Sequence, residues 1–193
     1  MNILIDAIPE SVDILGKTYN INTDFRASIL FEIMVQDKKI TANEKKAIGI
    51  NLYFDTKPIG LDNSEILAET MEQILWFYRC GKEIEFVEGK EEQPILDYEF
   101  DADYIYSAFL TQYGIDLQIE NLHWWKFRAL FKSLNDTNKI IKIMQYRGMK
   151  IDNKMSPENK KFYREMKHIY KIPDKRKQSE IEASFNDGMS SMM

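Results

Sequence analysis

The sequence has few of the residues that carry disulfide, metal and phosphate chemistry. Its 193 residues include one cysteine, two histidines and eight glycines. The single thiol, Cys80, cannot form an intramolecular disulfide, which excludes a disulfide framework and is consistent with a reducing compartment. No spacing brings His123 and His168 near each other or near Cys80, so we expect neither a zinc site nor any other metal site.

Long apolar runs and phosphate-binding motifs are also missing. No stretch approaches the roughly 18–20 apolar residues that cross a bilayer, and residues 1–15 lack the basic start of a signal peptide. The glycines stand singly, so no P-loop, dinucleotide-binding or nucleophile-elbow motif occurs. We therefore expect a soluble protein of the cytoplasm that is not an enzyme, holds no cofactor and has no membrane partner.

An acidic cluster is the nearest approach to a cation site, and its members are Asp97, Glu99, Asp101 and Asp103. An EF-hand loop that began at the first of them would need glycine at its sixth position and glutamate at its twelfth. Both positions hold alanine. Acids in the first turn of a helix, where they complement the positive end of the helix dipole, are the simpler interpretation.

Charge is unevenly distributed along the chain. Residues 1–138 carry 13 Lys and Arg against 24 Asp and Glu, whereas residues 139–177 carry 13 against 4. A basic segment with interleaved tyrosines could contact nucleic acid through stacking and phosphate contacts. The same pattern fits a solvated helix face or a docking surface for an acidic partner, and we rank both above nucleic acid.

The local patterns predict a mainly α fold, in which an N-terminal β-hairpin packs on a bundle of about six to seven helices. Two β-prone runs, 12–15 and 18–21, flank Gly16-Lys17, and glycine at the first turn position predicts a type II′ turn. We expect one helical domain over residues 1–172, with a flexible acidic loop at 83–94. The polar residues 173–193 predict a disordered tail.

Helix signals recur along the sequence. Thr41 and Glu44 form a capping box, Asp62 and Asp136 stand before two further helices, and Ser156-Pro157-Glu158 is a helix start. The helical stripes predicted to be buried are Ala27, Leu30, Phe31 and Met34 in the first helix, and Trp124, Phe127, Phe131 and Leu134 in the helix over 122–134. Trp125 lies on a neighbouring face of the helix over 122–134.

Three longer segments are distinctive: 101–109, 112–117 and the double-tryptophan segment Leu122-His123-Trp124-Trp125-Lys126-Phe127-Arg128-Ala129-Leu130. Shorter pieces at 23–26, 77–81 and 143–147 accompany them. Together they resemble a bacteriophage family named after gene product fifteen of phages that infect Gram-positive bacteria. The resemblance runs over nearly the whole chain, from Val12 to Tyr170.

This resemblance implies a function in tail morphogenesis. Genes of the family lie just ahead of the tape-measure gene, and proteins at that position act as tail assembly chaperones. They coat the tape-measure protein, keep it soluble and help to recruit tail-tube subunits. The implied partners are therefore the tape-measure protein, then the tail-tube protein, and a homo-oligomer is a further expectation.

A chaperone of this kind needs a surface for its client. The residues predicted to form it are apolar, aromatic or basic, and they are Trp125, Phe162, Met166, Ile169, Tyr170, Lys142, Arg147 and Lys150. Two alternatives stay open. The aromatic residues could all belong to the core. The protein could also be a structural or DNA-contacting morphogenesis protein that uses the basic segment 139–177.

Overall fold

The computed structural model describes residues 2–83 and 94–173. Within these ranges the chain forms a two-stranded hairpin followed by seven α-helices, which confirms the predicted mainly α fold. The elements are β1 (Ser11–Ile14), β2 (Lys17–Asn20), α1 (Phe25–Gln36), α2 (Ala42–Tyr53), α3 (Ser64–Tyr78), α4 (Ala102–Tyr113), α5 (Trp124–Lys132), α6 (Lys139–Gly148) and α7 (Pro157–Ile169). No helix in the described ranges has both the length and the apolar character needed to span a membrane.

The chain groups into two compact units. The first contains β1, β2, α1, α2, α3, α5 and the end of α4 from Phe109 onward. The second contains the start of α4, up to Ala108, together with α6 and α7. The single domain expected over 1–172 stays a prediction. The acidic loop expected at 83–94 and the tail expected at 173–193 lie almost entirely outside the described residues.

The hairpin turn differs from the prediction by one residue. β1 pairs antiparallel with β2, and Ile14 lies opposite Lys17, so the two turn residues are Leu15 and Gly16. Both have positive φ angles, 49° and 79°, which defines a type I′ turn and not the predicted type II′ turn. Glycine takes the second turn position, and Leu15 adopts a backbone conformation that non-glycine residues rarely adopt.

Two helix starts agree with their sequence signals. The Thr41 hydroxyl accepts from the Glu44 amide at 3.3 Å, and the Glu44 carboxylate accepts from the Thr41 amide at 2.8 Å. This reciprocal pair is the predicted capping box of α2. At α7 the Ser156 hydroxyl accepts from the Asn159 amide at 3.2 Å, and Pro157 is the first helical residue.

Two other helix starts differ from the prediction. The cap of α3 is Asn63 and not Asp62, because the Asn63 side-chain oxygen accepts from the Glu65 amide at 2.8 Å. The cap position of α6 is Asn138, which makes no side-chain capping bond, so Asp136 lies two residues too early. In both cases an asparagine lies within two residues of the aspartate and is equally well suited to capping, so sequence alone does not choose between them.

The core of the first unit is built on the double-tryptophan helix. Trp124 and Phe127 are completely buried, as the helical stripe predicted. The Phe127 ring stacks between the rings of Phe25 and Phe109, each at a centroid distance of 4.9 Å. Leu30, predicted to be buried with its neighbours in α1, is instead 53% exposed, because the buried face of α1 is centred on Ala27, Phe31 and Met34.

Candidate partner-binding surface

Aromatic side chains join α6 to α7 in the second unit. The Tyr146 ring of α6 meets the Phe162 ring edge-to-face at a centroid distance of 5.9 Å, and stacks on the Tyr170 ring at 5.9 Å. Tyr163 lies beside both Tyr146 and Phe162. The basic segment therefore uses its tyrosines for packing between its own two helices.

Polar contacts reinforce this pair of helices. The Lys139 ammonium donates to the Tyr170 hydroxyl at 2.5 Å and lies 4.8 Å from the centre of the same ring. This hydrogen bond raises the pKa of Lys139. The Lys167 ammonium donates to the Arg147 carbonyl at 2.8 Å. These contacts fix α7 against α6 without burying any α7 residue.

The predicted apolar stripe of α7 is only partly covered. Met166 and Tyr170 are half-buried, whereas Phe162 and Ile169 are 44% and 55% exposed. All four predicted residues lie on α7 or at its end. α7 has the spacing of an amphipathic helix. Among the described residues it packs against α6 on one side, and part of its apolar side is exposed. We refer to Phe162, Met166, Ile169 and Tyr170 as the α7 stripe.

The basic candidates fall into two groups. Lys142 on α6 and Lys150 just beyond it have exposed side chains. Arg147 is different, because only 5% of its side chain is exposed and its guanidinium contacts Asp101. We leave Arg147 out of the candidate surface, because its guanidinium donors are already used inside the second unit.

Trp125 also has to be removed from the candidate surface. Its residue is 4% exposed, and its indole N–H donates to the Phe77 carbonyl at 2.8 Å. The Trp76 ring packs against it edge-to-face, with ring centroids 5.6 Å apart. Gly81 lies so close that a Cβ there would stand 3.1 Å from the Trp125 ring. The second tryptophan is buried by α3 and the turn after it, as the core alternative supposes.

The acidic cluster at the start of α4 has a structural role that the sequence did not reveal. The Asp97 carboxylate accepts from the amides of Glu99 and Phe100, each at 2.9 Å, and so forms a hydrogen-bonded turn. Asp101 is fully buried and pairs with Arg147. Across the described ranges, no group of three or more His, Cys, Asp or Glu residues is arranged to hold a metal ion.

His123 has an unexpected position as the cap of α5. Its Nδ1 accepts from the Trp125 amide at 3.0 Å, and its Nε2 contacts the Pro9 carbonyl at 3.0 Å. Since a carbonyl only accepts, the neutral tautomer protonated at Nε2 satisfies both contacts. Burial lowers the pKa of His123, which favours this neutral form. Histidine is an uncommon cap, and no spacing in the sequence indicated it.

Comparison with known proteins bears on the whole chain. A search of curated proteins and a search of solved structures each found no match. The family model described as "Bacteriophage Gp15 protein" matches residues 4–172. This span includes every strand and helix named above and the α7 stripe, and it confirms the resemblance seen in the double-tryptophan segment and its neighbours. The chain therefore belongs to the bacteriophage Gp15 protein family.

Proposed function

We propose that the protein is a tail assembly chaperone that binds the tape-measure protein in the host cytoplasm before the tail is built. Membership of a phage protein family indicates a phage-associated function. The observation that carries the finer proposal is the α7 stripe, with Phe162 and Ile169 exposed on a helix that has no buried residue. A binding protein of this kind needs no catalytic group.

The stripe suits a helical client. A client helix can lay its own apolar face against an apolar stripe, as in other helix-in-groove interactions. Exposed cations flank the stripe, since Lys161 and Arg164 lie on α7 and Lys142 lies on α6. Charge of this kind would steer a client with acidic flanks and fix its orientation more than it would add affinity. The tail-tube protein is the second client we propose, and self-association of the chaperone is a further expectation.

Co-expression with the tape-measure protein of the same phage tests this proposal. We expect the tape-measure protein to be insoluble alone and to elute with the chaperone as a soluble complex, measured by size-exclusion chromatography with light scattering. Phe162→Ser combined with Ile169→Ser should abolish co-elution while the variant itself remains folded by circular dichroism.

A matched control uses exposed apolar residues of the first unit. Leu30 and Val35 on α1 are 53% and 46% exposed, close to the values for the α7 residues. Leu30→Ser combined with Val35→Ser should leave the complex intact. If both double variants bind the tape-measure protein as well as the wild type does, the α7 stripe is not the client surface. If the wild type itself forms no complex, the chaperone proposal fails.

A DNA-contacting morphogenesis protein is the second candidate, and the exposed cations of α6 and α7 favour it. The tyrosines of the basic segment, however, pack against neighbouring aromatic rings, which leaves less aromatic surface for stacking on bases. Electrophoretic mobility shift at two salt concentrations separates the candidates. DNA binding through phosphate contacts should weaken steeply as salt rises. Binding releases counterions from the DNA, and that release is less favourable at high salt concentration. No shift at low salt would remove this candidate.

A further inference from the structure

Three positively charged side chains come together in the first unit. Arg128 and Lys132 lie one turn apart on α5, and Lys82 follows the end of α3. The Trp124 indole N–H donates to the Tyr78 carbonyl at 2.8 Å, which holds the end of α3 against α5. All three charges act on the nearby Cys80 thiol. Because Lys82 is distant in sequence from the other two, the fold creates this group. We refer to Lys82, Arg128 and Lys132 as the cationic cluster.

The positions that carry the cluster are firmly held. The Arg128 guanidinium lies over the ring of the fully buried Trp124, 5.3 Å from its centre. Lys82 follows a tight helix end, in which the Gly81 amide donates to the Trp76 carbonyl at 2.9 Å and the Cys80 amide donates to the Phe77 carbonyl at 2.9 Å. These two bonds define a Schellman motif. The fold therefore holds Arg128 and the backbone that leads to Lys82 in place.

Among the described residues, no acidic side chain pairs with the cluster. Within residues 2–83 and 94–173, none of the three cations takes part in an ion pair. Cys80 does not supply the missing charge either, because burial raises the pKa of its thiol, which stays neutral near pH 7. Burial, and then repulsion by Lys82 and Arg128, lowers the pKa of Lys132. The repulsion inside the cluster is therefore not relieved by the described protein.

Helix dipoles account for only part of the charge. α3 and α5 both end near the cluster, and each carboxyl-terminal end carries roughly half a negative charge. Two such ends offset about one of the three positive charges and leave about two. A like-charge pair one turn apart on a helix, as Arg128 and Lys132 are, is destabilising.

We infer that the cationic cluster is a binding site for a phosphate-type dianion. The residual charge matches that of a phosphate group, which carries about −1.5 to −2 near pH 7. The two ammonium groups and the guanidinium fork offer more than enough N–H donors for its terminal oxygens. This inference goes beyond the proposed function and does not depend on it, because Lys82, Arg128 and Lys132 lie outside α6 and α7.

Pyrophosphate is the probe for the first arm of the test. The melting temperature of the full chain is measured as pyrophosphate is added. The ionic strength is kept constant, because phosphates also stabilise proteins without specific binding. We compare the wild type, Lys82→Gln with Lys132→Gln, and the control Lys38→Gln with Lys39→Gln. The control residues are exposed in the turn before α2, and both double variants remove two positive charges.

The expected result is a difference between the two double variants. The apparent affinity of the Lys82/Lys132 variant for pyrophosphate should be about tenfold weaker, since it loses two exposed charge contacts of modest strength. The control should match the wild type. Without pyrophosphate, the Lys82/Lys132 variant should melt no lower than the wild type, because repulsion is removed. A smaller response in this variant would then reflect lost binding and not a damaged fold.

The second arm identifies the source of the phosphate group, which could be a small phosphate compound or a nucleic-acid backbone. The same three proteins are titrated against a short DNA duplex by fluorescence anisotropy at low salt. Weaker pyrophosphate binding alone in the Lys82/Lys132 variant assigns the site to a small anion, and weaker DNA binding assigns it to the backbone. If the three proteins respond alike to both probes, the inference is overturned.

Discussion

The Arg147 guanidinium donates to both carboxylate oxygens of Asp101, at distances of 2.6 and 2.9 Å. The side chain of Asp101 is fully buried, and only 5% of the Arg147 side chain is exposed. The same guanidinium donates to the carbonyls of Tyr170 at 2.6 Å and Ile95 at 3.1 Å. One side chain thus connects the start of α4, α6 and the end of α7, so it supports the helix that carries the proposed client surface.

Replacement of either partner should therefore destabilise the protein strongly. Asp101→Asn leaves the buried guanidinium without its countercharge, and breaking a buried pair typically costs about 3–5 kcal/mol of unfolding free energy. Arg147→Lys keeps the charge but loses the bidentate hydrogen bonds, so we expect it to lower the unfolding free energy by at least about 2 kcal/mol. Urea denaturation measures both.

Arg164→Lys is the matched control, because Arg164 is exposed on α7. Exposed substitutions of this kind usually change the unfolding free energy by about 0.5 kcal/mol or less. Equal urea midpoints for the Arg147 and Arg164 variants would show that the pair with Asp101 contributes nothing specific to stability.

His123 predicts a pH dependence of stability. Burial lowers the pKa of His123 in the folded protein below its ordinary value of 6.5, so the unfolded chain binds a proton first as the pH falls. The contribution of His123 is therefore complete above pH 6.5 and is lost progressively below it, until the pH reaches the folded-state pKa. Protonation would also turn Nδ1 into a donor that faces the Trp125 amide.

Two variants isolate this contribution from the titration of carboxylates. Asparagine can accept the same amide hydrogen bond without titrating, so His123→Asn should reduce the loss of melting temperature between pH 7 and pH 5, relative to the wild type. His168→Asn should leave that loss unchanged, because His168 is exposed on α7. An identical pH profile in the wild type and both variants would contradict the role given to His123.

Short-range signals predicted the local structure well. The capping box of Thr41 and Glu44 and the start of α7 at Ser156 depend on residues three apart, so the sequence contains all the information they need. The exposed stripe of α7 could be placed from helical spacing in the same way. Where two adjacent residues have similar capping ability, as Asp62 and Asn63 do, the backbone selects one for reasons that lie outside the local sequence.

Long-range pairing accounts for what was missed. Charge alone made Arg147 look like a surface residue, because its partner Asp101 is far away in sequence and in an acidic run that suggested a solvated helix start. Trp125 looked available because it lies beside the main buried stripe. Its burial depends on Trp76 and on the close approach of Gly81, and neither follows from the spacing within α5.

The strained turn of the hairpin predicts a stabilising substitution. Leu15 has a φ of 49° and is 54% exposed, so its side chain contributes little burial while its backbone is unfavourable. Asparagine followed by glycine is the preferred pair in a type I′ turn. Leu15→Asn should raise the unfolding free energy by about 1 kcal/mol, measured by urea denaturation. Leu15→Val should lower it, because a β-branched residue tolerates positive φ poorly.

Gly81 and Gly114 allow a comparison between backbone strain and close packing. Both have positive φ, 69° and 68°, but a Cβ at Gly81 would stand 3.1 Å from the Trp125 ring, whereas one at Gly114 would meet nothing within 4 Å. Gly114→Ala should therefore cost about 1 kcal/mol for the backbone alone. Gly81→Ala should cost about 1–3 kcal/mol more, because the buried indole has to move. Equal losses for the two variants in thermal denaturation would mean that Trp125 yields freely, and that the turn after α3 does not hold it in place.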